Sequence, residues 1–266
     1  MRPVILFRKY DDTFQEELIV AKQCFYTTDS RMDIKKGDMV VGRYSVLPFY
    51  KEQERDILKV GAHLINTYEH HRFLANIKNW YPHFKNITPK TWFSPSDVPK
   101  DERGFVLKGE TNSKKFLWNT HMFADTWDDM MKVYCRLLDD TLIGQQEICI
   151  RKYEPLKTFL YGVNGLPITN EFRIFVIEQE ILGCGYYWSN FSDDLKERVI
   201  CTTAPPRDWT QEVIKPVCAN FFVIDVAQKE NGEWIVMELN DGQMSGLSDV
   251  PAVTLYGSLY NYFTVR

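Results

Sequence analysis

Apolar and polar positions alternate along two β-rich runs that flank Asn231-Gly232 in residues 221–242, FFVIDVAQKENGEWIVMELNDG. Asn-Gly favours a two-residue type I′ turn, so the pattern predicts a β-hairpin. With Glu230 opposite Glu233, Asp225 lies across from Glu238 and Ala227 across from Val236. One face then carries Phe222, Ile224, Val226, Ile235, Met237 and Leu239, and the other Val223, Asp225, Trp234, Val236, Glu238 and Asn240. Opposed side chains have Cβ atoms roughly 5 Å apart, and like charges so placed repel unless something neutralises them. A divalent cation would do so, since carboxylate and amide oxygens are the hard ligands that Mg²⁺ prefers. The pattern leaves one alternative open, a half-exposed hairpin whose acids face solvent.

Elsewhere the pattern is mixed. Residues 1–95 combine strand signals at 4–7 and 39–44 with two helical stretches. The first, 50–64, places Ile57, Leu58, Val60, Gly61 and Leu64 on roughly one side, and the second follows Thr67 and covers 69–80. Pro82, Pro89, Pro95 and Pro99 punctuate a loop-rich crossing that separates an α/β N-terminal lobe, 1–95, from a second region, 96–266. That region reads as a strand (104–108), a helix, a strand (147–153), a hairpin (171–176 and 181–188), a polar stretch, a short helix and the acidic hairpin. Thr126 followed by Asp129 is a variant capping box, and Met130, Val133, Tyr134, Leu137 and Leu138 form the apolar stripe behind it. Antiparallel hairpins with a few helices predict an α+β fold.

At 266 residues, 44% hydrophobic and 26% charged, the chain has an ordinary globular composition and room for one large domain or two lobes. No apolar run approaches the ~20 residues of a membrane span, and the opening MRPVILFRKYDD is too short in apolar residues for a signal peptide, so a cytoplasmic protein is expected. Six scattered cysteines without a CxxC pair argue against zinc or a disulfide framework and read as buried thiols. A net charge of −4 argues against nonspecific nucleic-acid binding. The five histidines show no metal spacing, and no GxSxG, GxGxxG or GxxxxGK[ST] occurs.

Three further segments could carry chemistry. Lys108 ends a short apolar strand, where an ammonium suits a phosphate oxygen, although exposed lysines are common; Lys114 and Lys115 follow in a polar loop. In EICIRKYEPL, extended backbone beyond the strand, at Arg151, Lys152, Tyr153 and Glu154, could read an adenine edge, or these could be solvated strand-end residues. In NEFRIFV, Arg173 could grip phosphate with two N–H groups or pair with Glu171.

Taken in order, a strand-end Lys108, a helix, Arg151-Lys152-Tyr153-Glu154, Glu171-Phe-Arg173, Asp225 and Glu238-Leu-Asn240 resemble the ATP-grasp superfamily, well over residues 100–245. The EFRIFV run resembles more specifically the divergent clade of phages and bacteria related to the eukaryotic assembly factor for translation initiation factor two. The resemblance implies two α+β lobes gripping ATP, preceded by a small α/β lobe. It implies that Lys108 binds α- or β-phosphate, that residues 151–154 form the adenine hinge, and that Arg173 faces the triphosphate. It further implies that Asp225, Glu238 and Asn240 hold one or two Mg²⁺, with Mn²⁺ as a substitute. Arg43, Asn66, Lys78 and Trp80 are the substrate-side candidates of the N-terminal lobe. Two departures stand out. The expected glycine-rich loop is replaced by ETNSKKFLWNTH, so that either Lys114 compensates by reaching the phosphates or phosphate closure is weaker than in typical members, and Lys152 stands where many relatives have a hinge acid. The implied activity is ATP-dependent joining of a carboxylate to an amine or other nucleophile, with a peptide or protein as acceptor. The rival reading is a nucleotide-dependent assembly or binding protein without ligase turnover.

Overall fold

A computed structural model gives the fold and describes residues 2–9, 14–189 and 201–265. The N-terminal sheet consists of β1 (Arg2–Phe7), β2 (Tyr26–Thr28), β3 (Asp38–Arg43) and β4 (His63–Leu64), in the order β2-β1-β3-β4, with every pair parallel. Val4, Ile5, Leu6 and Phe7 are all buried, as a parallel strand covered on both faces requires. Helix α1 (Gln15–Cys24) precedes β2, and α2 (Tyr50–Lys59) joins β3 to β4. The sequence pattern did not reveal α1, because its apolar residues do not gather on one side. The expected 50–64 helix stops early: Gly61 adopts φ 76° and the chain turns into β4. The second helical stretch is broken into α3 (Tyr68–Ala75) and α4 (Ile77–Phe84). Asn76 sits between them with extended backbone, and its side chain accepts from the amide of Lys78.

A second, antiparallel sheet, β5-β8-β6-β7, contains β5 (Thr91–Trp92), β6 (Phe105–Gly109), β7 (Phe123–Ala124) and β8 (Ile148–Lys152). Helix α5 (Trp127–Leu138) packs Met130, Val133 and Leu137 on it, and its cap is the expected one, the Asp129 amide donating to Thr126 Oγ1 at 3.2 Å. After the ribbon of β9 (Thr158–Tyr161) and β10 (Pro167–Thr169) comes a third sheet, also antiparallel. It holds β11 (Glu171–Ile177), β12 (Glu180–Tyr186), β13 (Phe221–Gln228) and β14 (Trp234–Asp241), ordered β12-β11-β13-β14. Separate parallel and antiparallel sheets with flanking helices agree with the α+β expectation. Two more helices, α6 (Arg207–Ile214) and α7 (Ala252–Val265), complete the strands and α-helices among the described residues.

The third sheet is covered on both faces, which the half-exposed hairpin alternative did not anticipate. Leu74, Trp80 and Phe84 from α3 and α4 pack on one face against Ile174, Phe222 and Ile224. On the other, Phe175, Phe221 and Val223 meet Ile5 and Val41 of the N-terminal sheet and Leu255, Tyr256 and Leu259 of α7. Burying each such side chain stabilises the fold by about 1.5–3 kcal/mol, and β13 is consequently apolar except at Asp225 and the terminal Gln228. Cys149 alone of the six cysteines is buried and all six are free thiols, so the expectation of buried thiols fails for the other five. Among the described residues no helix is long and apolar enough to cross a membrane.

Candidate nucleotide and metal site

The β13–β14 hairpin brings Asp225 opposite Glu238, as expected, but by a different route. The loop has three residues, not two: the Lys229 amide donates to Glu233 O, the Gly232 amide donates to Lys229 O, and Gly232 takes φ 91°. That shifts the register by one, so Val226 pairs with Val236 and Gln228 with Trp234, in place of the expected Ala227–Val236 pair. A bulge at Met237 then restores the register, and Asp225–Glu238 and Val223–Asn240 pair as anticipated. Trp234 and Val236 accordingly join Phe222 and Ile224 in the core and do not share the face of Asp225.

Each carboxylate has its own cation. Asp225, across the ladder from Arg173, receives Nε and Nη2 of that guanidinium at 2.9 and 2.8 Å, and the Asp225 side chain is only 1% exposed. Arg173 Nη1 donates to Gly246 O at 2.9 Å, and its guanidinium lies 4.9 Å from the Tyr187 ring centre. Burial opposes the Arg173 charge, yet the Asp225 contacts raise its pKa overall. Lys108 Nζ sits 2.5 Å from Glu238 Oε1. Burial works against the Glu238 anion, but Lys108, Lys115 and Arg173 outweigh it and hold the carboxyl below its ordinary range. Protein cations thus supply the neutralisation that the sequence assigned to a metal, and Arg173 takes Asp225 in place of the alternative partner Glu171.

Two connected cavities surround these groups. A cleft of about 110 Å³ runs between Val106, Trp118, Met122, Leu166 and Met237 and reaches residues 151–154. A polar chamber of about 350 Å³ is walled by Arg173, Tyr187, Asn240 and the turn Met244–Ser245–Gly246. Lys108, Ser113, Lys115 and Glu238 line both. An apolar slot therefore opens into a charged chamber, an arrangement suited to an amphiphilic ligand with a flat ring at one end and anionic oxygens at the other.

The hinge residues divide their roles. Arg151 is buried and turned away from the chamber: its guanidinium donates to Met237 O and Thr88 Oγ1, both at 2.7 Å, and to Thr91 Oγ1 at 3.3 Å. Lys152 Nζ binds Glu102 and Arg103 O, lowering the Glu102 pKa, while Tyr153 meets Phe123 edge-on at 5.2 Å. The amides of Lys152 and Tyr153 are paired with Lys90 O and Gly104 O, whereas Glu154, which also lines the cleft, has no backbone hydrogen bond among the described residues.

Several candidates are corrected. Lys114 lines neither cavity: it pairs with Asp140 at 2.6 Å, and the Ile143 amide together with Lys114 brings that carboxyl down to about 2. Its neighbour Lys115 enters the site, bonding Tyr187 Oη and lying 4.3 and 5.1 Å from the Tyr187 and Trp188 ring centres. Residues 115–122 form short helical turns, so adjacent side chains diverge, and a Lys-Lys pair in sequence does not say which one turns inward. Arg43 and Asn66 are fully buried. Arg43 pairs with Glu17 at 2.8 Å and donates to Gly242 O and Ser245 O; Asn66 binds Phe221 O at 2.6 Å and Asp241 Oδ1 at 2.8 Å. Both anchor the chamber turn from behind. Trp80 is core, and Lys78 pairs with Glu147 on the surface. Sequence reading also undervalued Glu171, which lines the cleft: burial pushes its carboxyl up to about 7, with Lys115 pulling the other way.

Asp225, Glu238 and Asn240 present hard oxygen donors, and Glu238 and Asn240 open on the chamber, so the set fits Mg²⁺. Among the described residues no cluster of three or more His, Cys, Asp or Glu offers another metal site.

The family described as "ATP-grasp domain, R2K clade family 3" matches residues 92–259. No curated protein matches the sequence. Solved structures of similar fold include the D-cycloserine synthetase DcsG (11% identity over 98% of this chain and 100% of that one, TM-score 0.62). The ATP-grasp ligase PsnB, complexed with minimal precursor, Mg and ADP, aligns at 10% identity over 99% and 98% with TM-score 0.59. The macrocyclase MdnC from Microcystis aeruginosa MRC, bound with precursor peptide MdnA, aligns at 11% over 100% of both chains with TM-score 0.60. At these identities the likeness is one of fold, while the family match spans more than half of the chain. The chain therefore belongs to the ATP-grasp domain family, R2K clade family 3.

Proposed function

We propose that the chain is an ATP- and Mg²⁺-dependent ligase that activates a carboxylate as an acyl phosphate for attack by an amine or similar nucleophile. The observation that carries this reading is the apolar cleft opening into a chamber lined by Lys108, Lys115, Arg173, Glu238 and Asn240. Adenine would lie in the cleft, its edge read by the free backbone of Glu154, with Lys108 and Lys115 at the phosphates. Glu238 and Asn240 would hold Mg²⁺, with Asp225 available once Arg173 turns to the triphosphate. Bound there, the cation would neutralise charge spreading over the transferred phosphoryl group.

A carboxylate is a poor electrophile. In the proposed reaction its oxygen attacks the γ-phosphorus, the bond to the ADP oxygen breaks, and the acyl phosphate then loses inorganic phosphate when the amine attacks its carbonyl and gives up a proton. Lys108 and Arg173 would stabilise the equatorial oxygens, so catalysis would rest on positioning and electrostatics without a protein nucleophile. The N-terminal lobe, residues 1–95, would present the acceptor. The precursor peptides named with PsnB and MdnC favour a peptide acceptor.

The test is mass spectrometry of cell extract incubated with the protein, Mg-ATP and an ¹⁸O-enriched carboxylate pool. ADP, a condensation product and phosphate carrying one ¹⁸O are expected in equal amounts. Nucleotide binding without turnover, or phosphate retained on the product, would contradict the reading.

A further inference from the structure

Resting on the ligase reading, we propose that a separate cavity at the carboxyl ends of β1 and β3 receives the acceptor, and that the acceptor is a zwitterionic, peptide-like molecule. In the order β2-β1-β3-β4 the chain leaves β1 to one side for β2 and returns on the other for β3. The segments that follow β1 and β3 therefore diverge, and in open parallel sheets ligands bind in the crevice so formed. The structure has a cavity of about 530 Å³ there, within the usual size of ligand sites, lined by Phe7 at the end of β1, Arg8 just after it, and residues 44–47 and Phe49 after β3.

This cavity shares no lining residue with the cleft or the chamber. It is nonetheless close to the chamber. Met244, in the chamber wall, packs in one cluster with Tyr44 and Val46, which line the new cavity.

The charges define the ligand. On one wall Asp56 is shared by Arg31 at 3.0 Å and Arg55 at 3.9 Å, leaving positive charge in excess. Arg8 has no ion-pair partner among the described residues, and neither have Asp29 and Glu52 across the same space. A ligand of one sign would leave the other sign uncompensated, whereas free amino and carboxylate groups on one molecule answer both. Leu47 and Phe49, 45% and 62% exposed, add apolar contact beside them.

The test uses saturation-transfer NMR on the full chain with Mg-ADP and a set of Ala-Xaa dipeptides with free termini, against the same set acetylated and amidated. Free dipeptides are expected to bind and blocked ones not. Arg8→Glu and Glu52→Arg, both surface changes verified by circular dichroism, should each lower dipeptide affinity at least tenfold and leave Mg-ADP affinity within twofold. Absence of dipeptide binding, equal binding of blocked dipeptides, full competition by inorganic phosphate, or binding that survives both variants overturns the proposal. Failure of Mg-ADP to bind the unaltered protein would strike the ligase reading instead.

Discussion

Arg151 donates a 2.7 Å hydrogen bond to the carbonyl of Met237, the one residue of β14 that the ladder with β13 skips. The Val236 amide donates to Ile87 O, and Thr88 Oγ1 donates to Val236 O, so the bulge is held from the side facing the hinge. Without the bulge, the register set by the three-residue loop would place Glu238 away from Asp225. Arg151 is thus a positioning residue for the acidic pair, its guanidinium spent on Met237 O and Thr88 Oγ1.

Replacing Arg151 by Met leaves Met237 O and Thr88 Oγ1 without their donor. A loss of about 2–3 kcal/mol is expected from hydrogen bonds to a charged group, read as a shift in the urea midpoint, together with weaker Mg-ATP binding. Weaker nucleotide binding at unchanged stability would instead indicate direct contact with ATP.

Lys108→Met removes the nearest cation from Glu238, where burial already opposes the anion. The Glu238 carboxyl is expected to titrate at higher pH in ¹³C NMR. Mg-ATP affinity should fall roughly 10–100-fold, the equivalent of one lost charge-assisted contact.

Glu171, with its carboxyl pushed up to about 7 by burial, supplies a pH dependence. Its folded pKa exceeds the unfolded value, so the folded state binds the extra proton between about pH 4.5 and 7, and stability falls as pH rises through that window. The limit is on the order of 3 kcal/mol. Glu171→Gln should flatten the fall in thermal unfolding experiments run from pH 5 to 8. An unaltered slope would mean that other groups carry it.

Arg43→Met leaves Glu17 buried without its cation, and the expected loss is about 3–5 kcal/mol. Asn66→Ala should lower stability and Mg-ATP affinity together, since Asn66 fixes Asp241, next to Asn240. A substrate-binding role would instead raise the acceptor KM at unchanged stability.

Much of this site was legible because its signals are local. The Asn-Gly turn and the alternation on both sides of it are read within a few residues and placed Asp225, Glu238 and Asn240 together, whereas Arg173 joined them only through the resemblance to the ATP-grasp superfamily. The register was right at Asp225 only because the three-residue loop and the Met237 bulge cancel, and neither leaves a mark in the apolar pattern. Arg43 and Asn66 resembled surface chemistry because polar residues usually are exposed, whereas their partners Glu17, Gly242 and Asp241 lie far away in sequence. Lys115 was obscured by Lys114 beside it. Helix α7, apolar around much of its circumference, offers no amphipathic stripe to read and is identified only by what it covers.

In the proposed ligase Glu238 and Asn240, backed by Asp225, hold the cation of a nucleotide lying in the cleft. Crystals grown with Mn²⁺ and a non-hydrolysable ATP analogue test it directly. An anomalous peak roughly 2.0–2.3 Å from Glu238 and Asn240 oxygens is expected, with adenine against Glu154 and Arg173 drawn toward the triphosphate. A peak elsewhere, or an analogue bound with the Lys108–Glu238 and Arg173–Asp225 pairs unchanged and no cation between them, would contradict it.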